Sequence, residues 1–275
     1  MNLKKAITRL FFVLMASCAL CACHPVSDTS PESTADSELP ELKIGVDTLK
    51  PFFYIDQNGD YAGIDADIAT EACRRAGYKP VFIDVSWSER DTYLNSQTVD
   101  CLWSAFIMDG REDQYLWTDS YLESHLRAIV DTKSPDQALA TLGDRAGMAV
   151  RAGSKMEELL LTSSSFLVPI RIYSCGTFAM AETAFIKGYT GALGGHEVVL
   201  QNVLDTYPGL YRFLDGSLMT AHLGVAFQKD DTTGHWEAIN GAIQEMKEDG
   251  TIQTIWDTYT SSLSTEKEDT IHARH

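Results

Sequence analysis

Basic residues are scarce in this chain of 275: 22 lysines and arginines stand against 39 aspartates and glutamates, a formal charge of −17. Such a surface repels phosphate backbones, which argues against nucleic acid as a partner. Cysteines at metal-binding spacing are lacking too. The body holds only Cys73, Cys101 and Cys175, an odd number without C-x-x-C spacing, so neither a disulfide framework nor a zinc site is indicated. Their apolar surroundings are those of packed core thiols. There is no Ser-His-Asp phrase, no G-x-S-x-G elbow and no phosphate loop. The run Gly191-x-x-Gly194-Gly195 is too short and wrongly placed for a dinucleotide fingerprint. No cofactor is called for, and no internal repeat is present. What remains is the composition of a globular protein, 44% hydrophobic and 22% charged, long enough for two α/β lobes.

The first two dozen residues read as an address. Lys4, Lys5 and Arg9 precede an uncharged, mostly apolar run from Leu10 to Ala22, too short to span a bilayer comfortably and suited to the apolar region of a signal peptide. Removing residues 1–22 leaves 19 basic against 39 acidic residues, a net of −20. The run ends in Leu20-Cys21-Ala22-Cys23, which resembles the lipobox of bacterial lipoproteins, where a small residue precedes the cysteine that is diacylated. The resemblance implies lipidation at Cys23 and anchoring on the extracytoplasmic face of the cell membrane. Met15-Ala16-Ser17-Cys18 is a second candidate with a shorter apolar run. Residues 24–41, rich in Ser, Thr, Pro, Asp and Glu, read as a flexible tether. Thr265 to His275 read as a frayed tail.

Between these ends strand and helix patterns alternate. Strands are expected at Leu42–Asp47, Val81–Val85, Val99–Ser104, Leu126–Asp131, Gly147–Val150, Val168–Ile172 and Leu223–Phe227, with short ones near Ala192 and Tyr211. Ile64, Ile68, Ala69, Ala72, Cys73 and Ala76 fall at helical spacing before Gly77, a capping glycine. Further helices are expected from Ser154, which has capping-box spacing to Glu157, at Cys175–Lys187, Glu197–Thr206, Trp236–Glu248 and Ile252–Tyr259. Repeated βα units indicate an α/β protein with open, mostly parallel sheets, two in number. Ligands of such sheets bind at the carboxyl ends of the strands.

Several phrases point further: Leu42-Lys-Ile-Gly-Val-Asp47, Pro51-Phe52, Gly63-Ile-Asp65-Ala-Asp67-Ile68-Ala69, Trp87, Met108-Asp-Gly-Arg111, Trp117-Thr-Asp-Ser-Tyr121, Leu223-Gly-Val-Ala-Phe and Met246-Lys-Glu-Asp-Gly250-Thr. In this order they resemble the family 3 extracellular solute-binding proteins, receptors of polar amino acid ABC transporters. The resemblance covers Leu42 to about Ser262. It implies a periplasmic-binding-protein-like fold of type II, with two lobes joined by two crossover strands and closing on a ligand. The implied division is 42–131 plus 222–263 for lobe 1, 132–221 for lobe 2, and a tail from 264.

The resemblance also implies a site. Arg111 aligns with the arginine that grips the ligand's carboxylate, a task suited to a planar, permanently charged guanidinium. Ser104 matches a hydroxyl or backbone position beside it. Ser154 opens a helix whose amides face an anion in the cleft. Trp87 matches an aromatic stacked on the ligand, and Asp47 a polar cleft position. Two departures stand out. Phe106 replaces a common Ser or Thr and adds an apolar wall. His196 occupies the place of the aspartate that binds the ligand's amino group, and imidazole is no partner for ammonium; Glu197 is the substitute if it turns inward. The ligand is therefore an α-amino acid or a carboxylate without an amine. The implied partners are an ABC permease and, through the N-terminal lipid, the membrane. Two alternatives are a sensing module presented to a membrane receptor and an enzyme like cyclohexadienyl dehydratase, with His196 as general acid.

Overall fold

The computed structural model describes residues 39–272 except 140–141, 143–146 and 163–169, with side chains as far as Ser261. Cys23, the signal segment and most of the tether lie outside the described residues. From Leu39 onward the described chain forms one compact unit.

Alternating burial of Leu42 and Ile44 sets β1 (Glu41–Val46) into the first sheet. A hairpin, β2 (Tyr54–Ile55) and β3 (Tyr61–Ala62), leads to α1 (Ile64–Ala76). Its buried stripe is Ile64, Ile68, Ala69, Ala72 and Cys73, and Gly77 closes it at φ 79°, a conformation only glycine adopts freely. β4 (Lys79–Asp84) lies parallel to β1. A single 3-10 turn, Trp87–Glu89, and α2 (Arg90–Asn95) then lead to β5 (Cys101–Leu102), parallel to β1 on its other edge. β6 (Leu116–Trp117) ends the first passage through this sheet.

The chain crosses on β7 (Leu122–Asp131) and builds a second βα series. This comprises β8 (Met148–Arg151), α3 (Lys155–Thr162), β9 (Ile172–Cys175), α4 (Phe178–Ile186), β10 (Ala192–His196), α5 (Glu197–Thr206) and β11 (Tyr211–Phe213). It returns on β12 (Met219–Leu223) to β13 (Ala226–Phe227), α6 (His235–Glu248) and α7 (Thr251–His272). The first sheet has the order β4-β1-β5-β13-β6. The second runs β11-β7-β10-β8-β9, with β12 also on β7.

Each sheet is mixed. The βα units give the parallel pairs β1–β4, β1–β5, β8–β10 and β8–β9, while strands arriving from the other sheet run antiparallel: β13 in the first, β7 in the second. β7 and β12 pair from Met219↔Leu126 to Leu223↔Leu122 and form the two-stranded connection between the sheets. β7 pairs with β10 and β11 from Leu126 to Asp131, so the chain has entered the second sheet by Leu126, ahead of the expected boundary at 131–132.

Other boundaries differ for local reasons. β9 begins at Ile172, where the sequence pattern ends its strand. It is an edge strand with Tyr173 and Ser174 exposed, so its own apolar signal is weak; Val168 and Pro169 lie outside the described residues. Cys175 closes β9, is only half-buried, and is neither helical nor core as expected; Cys73 and Cys101 are buried free thiols. α4 starts at Phe178 because the Thr177 hydroxyl accepts the Met180 N–H at 3.2 Å, the usual N-cap bond. α7 continues to His272, past the point where polar composition places a frayed tail. Among the described residues no helix is long and apolar enough to cross a membrane.

Candidate functional site

The strand ends converge on a cavity between the sheets. Asp47 follows β1, Arg151 ends β8 and His196 ends β10, the carboxyl-end positions at which open α/β sheets bind ligands. The wall from the first sheet is Trp87, Phe106 and Arg111; that from the second is Arg151, Ser154, Lys155, Phe178 and His196. In this conformation the cavity volume is about 20 Å³, room for about one water, so a solute enters only if the walls part.

Three guanidinium groups stand on two aromatic rings. Trp87 and Phe106 meet edge to face at 4.9 Å. Arg151 lies 4.8 Å over Trp87, Arg111 5.4 Å over Phe106, and Arg90 5.1 Å over Phe106. Cation–π attraction of this kind strengthens when water is excluded. Arg111 and Arg151 are each 5% exposed. Burial lowers both pKa values, though a guanidinium stays charged.

The carboxylates that balance them reach across the cleft. Asp47 accepts Arg151 Nη1 at 2.9 Å. Burial raises the pKa of Asp47, and Arg151 opposes that rise. Glu158, on α3, accepts Arg111 Nη2 at 2.8 Å and also bonds Lys155. Arg90 Nη1 donates to the Gly153 carbonyl at 3.2 Å. The Phe52 ring meets His196 edge-on at 5.4 Å. These contacts hold the two sheets together across the cavity.

The expected residues divide into three groups. Trp87, Phe106, Arg111, Ser154 and His196 line the cavity together. Asp47 and Ser104 are buried behind that wall: Asp47 meets it through Arg151, and the Ser104 hydroxyl is spent on the Asp47 carbonyl at 2.7 Å. Glu197 turns the other way. It accepts Arg127 Nη1 at 2.8 Å and lines a separate groove with Glu123, Trp256 and Thr260. Its place as first residue of α5 directs it away from the strand end that carries His196.

His196 is neutral here. Burial, with a smaller push from the Arg151 charge, takes its pKa down to about 3, and its Nδ1 shares a hydrogen bond with the Ser124 hydroxyl at 3.0 Å. At the second wall, the Glu157 N–H donates to the Ser154 hydroxyl at 3.2 Å, and the Glu157 carboxylate accepts from Gly153 N–H at 2.6 Å. This is a capping box closed one residue early.

Arg90, Arg151, Lys155 and Glu158 were not singled out from sequence. Arg151 had a signal: a charged residue closing the apolar strand Met148-Ala-Val, two residues before Gly153-Ser154. Among the described residues no group of three or more His, Cys, Asp or Glu is placed to hold a metal ion.

A basic, ring-lined cavity between two sheets, bridged by two strands and spanned by ion pairs, defines a two-lobed protein with its candidate site between the lobes. Residues 42–262 match the model of the bacterial extracellular solute-binding proteins, family 3, and the chain belongs to that family. It is 28% identical to the L-cystine-binding protein TcyA of Bacillus subtilis, over 92% of this chain and 96% of that protein. It is 26% identical to the histidine-binding periplasmic protein of Salmonella typhimurium, over 82% and 90%. Its fold also matches the crystal structure of an ABC uptake transporter substrate-binding protein from Streptococcus pneumoniae with bound histidine. That match has a TM-score of 0.73 at 22% identity, covering 80% of this chain and 92% of the other.

Proposed function

We propose that the protein captures a small carboxylate-bearing solute, of the polar amino acid class, outside the cytoplasmic membrane and delivers it to an ABC importer. The observation that carries this is Arg111: a guanidinium 5% exposed, lining the cavity between the lobes and ion-paired across it to Glu158. An arginine so placed exchanges Glu158 for a ligand carboxylate without losing its charge partner. The relatives named above bind amino acids, which supports the same chemistry here.

Capture then proceeds by exchange of contacts. The lobes part about the β7–β12 connection, the carboxylate docks on Arg111, Trp87 and Phe106 cover the solute, and the lobes re-close by hinge motion. A thermal-shift screen with amino acids, dicarboxylates and keto acids finds the solute, because a ligand that binds only the folded protein raises its stability. Arg111→Ala then weakens that solute by at least about 30-fold, the truncation of a buried charge pair being worth ~2–5 kcal/mol. Unchanged affinity in calorimetry would remove Arg111 from the site.

We further propose that Cys23 carries the lipid anchor, supported by its lipobox-like context. Cys23→Ser is expected to move the protein from the membrane fraction to the soluble fraction. Unaltered partitioning would place the anchor elsewhere.

A further inference from the structure

The wall of the cleft is one-sided in charge. Among the described residues its lining holds Arg111, Arg151 and Lys155 and no aspartate or glutamate. The two carboxylates that reach these cations, Asp47 and Glu158, stand behind the lining and serve three of them: Asp47 serves Arg151, while Glu158 serves both Arg111 and Lys155. Next to them Arg90, also buried, donates to the Trp87 and Gly153 carbonyls and interacts with the Tyr115 hydroxyl; among the described residues it has no ion pair, and its Nε has no hydrogen-bond partner. The imidazole that completes the wall is neutral and already bonded to Ser124. Among the described residues, four buried cations therefore have, between them, ion pairs with two carboxylates.

A solute with one carboxylate and one amine leaves this imbalance untouched. Its carboxylate takes Arg111. Its ammonium finds no anion in the wall unless it draws Asp47 away from Arg151, and Arg151 is then a buried charge without a partner, which is strongly unfavourable. A second acid group on the solute resolves the difficulty, because it pairs with Arg151 whether or not Asp47 turns to an amine. Two acid groups against two unbalanced cations bring the cluster to neutrality for a dicarboxylate and to within one charge of it for an acidic amino acid.

We infer that Arg151 is a second anion anchor, and that the cleft selects small solutes with two acid groups and at most one amine: short dicarboxylates or acidic amino acids. The inference rests on the reading of the cleft as the capture site. It assigns Arg151 the choice between solutes, whereas Arg111 holds the carboxylate they have in common.

The test sets diacids against their own monoamides, which keep the shape and lose one charge. Calorimetry on the purified protein uses L-glutamate with L-glutamine, L-aspartate with L-asparagine, and succinate with succinamate, with L-cystine and L-arginine as solutes the inference rejects. At least one diacid is expected to bind about tenfold or more tightly than its amide. In Arg151→Met that ratio falls towards unity, and Arg151→Lys retains part of it. Should Arg151→Met fail to fold by circular dichroism, His196→Asp serves instead, because a carboxylate beside Arg151 competes with the second acid and also shrinks the ratio. The inference is overturned if amides, L-cystine or L-arginine bind as tightly as any diacid, if no diacid binds, or if the ratio survives in a folded Arg151→Met protein. Arg111→Ala separates the two ideas: if it abolishes binding of an amide that the cleft prefers, the capture reading stands while the second anchor falls.

Discussion

Two hollows in this protein differ in almost every respect. The cleft cavity is about 20 Å³, closed, and lined by arginines, lysine and aromatic rings. The groove between β7, α5 and α7 is about 640 Å³, open, and lined by Glu123, Glu197 and Asp257 with no lysine or arginine. They come within one residue of each other, since His196 faces the first and Glu197 the second. Size alone would favour the groove. Yet its carboxylates match the character of the whole acidic surface, and anions in water cost little. The cleft concentrates buried cations in a chain with a formal charge of −17, against the desolvation penalty such charges carry. An arrangement that opposes both solvation and the overall charge points to a ligand; one that follows them needs no such explanation.

The sharpest way to break the comparison is to remove one carboxylate from each hollow. Asp47→Ala leaves Arg151 buried without its partner, at a cost to the closed conformation of about 3–5 kcal/mol. The protein has an escape, because parting the lobes hydrates Arg151. The expected result is a lower melting temperature together with a larger radius of gyration in solution scattering. Glu197→Gln frees Arg127, which keeps its bond to the Leu214 carbonyl and its stacking 4.1 Å over Phe213. A partly exposed pair of this kind is worth about 0–1 kcal/mol, and no opening is expected. Equal effects from the two substitutions would erase the distinction between the hollows.

A pH series sharpens it further, because two buried groups titrate in opposite senses. Burial raises Asp65 to about 7, although it accepts bonds from the Ala105 N–H and the Tyr121 hydroxyl. Its contribution is present below the ordinary value of 3.8 and is lost as pH rises towards 7. His196, pushed down from 6.5 to about 3, acts in reverse. Between those values the unfolded chain binds the proton that the folded chain refuses, so stability falls as pH drops from 6.5. The two contributions oppose each other over this range. Relative to the native protein, Asp65→Asn is expected to make stability rise more steeply with pH between 4 and 6.5, and His196→Gln to make it rise less steeply or fall. The other carboxylates titrate alike in all three proteins. Urea unfolding at four or five pH values measures this, and three parallel profiles would refute the burial of both groups.

Much of this was legible in the sequence. The α1 stripe ending at Gly77 and the span Glu197–Thr206 are set by local spacing and capping. Arg111, Trp87, Phe106, Ser154 and His196 came from ordered phrases, and the cavity brings them together. What was not legible depends on pairing across the cleft. Nothing local tells that Asp47 meets Arg151, 104 residues away, or that Ser104 gives its hydroxyl to a carbonyl. The direction of Glu197 is fixed by helix phase relative to β10, which the sequence leaves open. The early crossing at β7 was missed because a strand reads the same whichever sheet it joins.

The smallest expected effect isolates the closing contact itself. Gly153 and Gly209 both have positive φ, 71° and 76°, a region that costs an L side chain ~1–2 kcal/mol. Alanine at either position therefore carries similar backbone strain. Their surroundings differ. A Cβ at Gly209 meets nothing within 4 Å, whereas at Gly153 it comes within 3.0 Å of the Ser88 Cα and the Arg90 guanidinium, on the opposite side of the cleft. Backbone cannot give way as a flexible side chain does, so the lobes must separate slightly to admit the methyl. Gly153→Ala should then lower the melting temperature somewhat more than Gly209→Ala, and alone of the two weaken solute affinity and widen the scattering profile. The loss enters through the cost of closure, so it should appear for every solute by the same factor, unlike substitution of Arg151. Equal affinities in the two alanine variants would mean that the Gly153–Ser88 approach is not part of the closed, binding state.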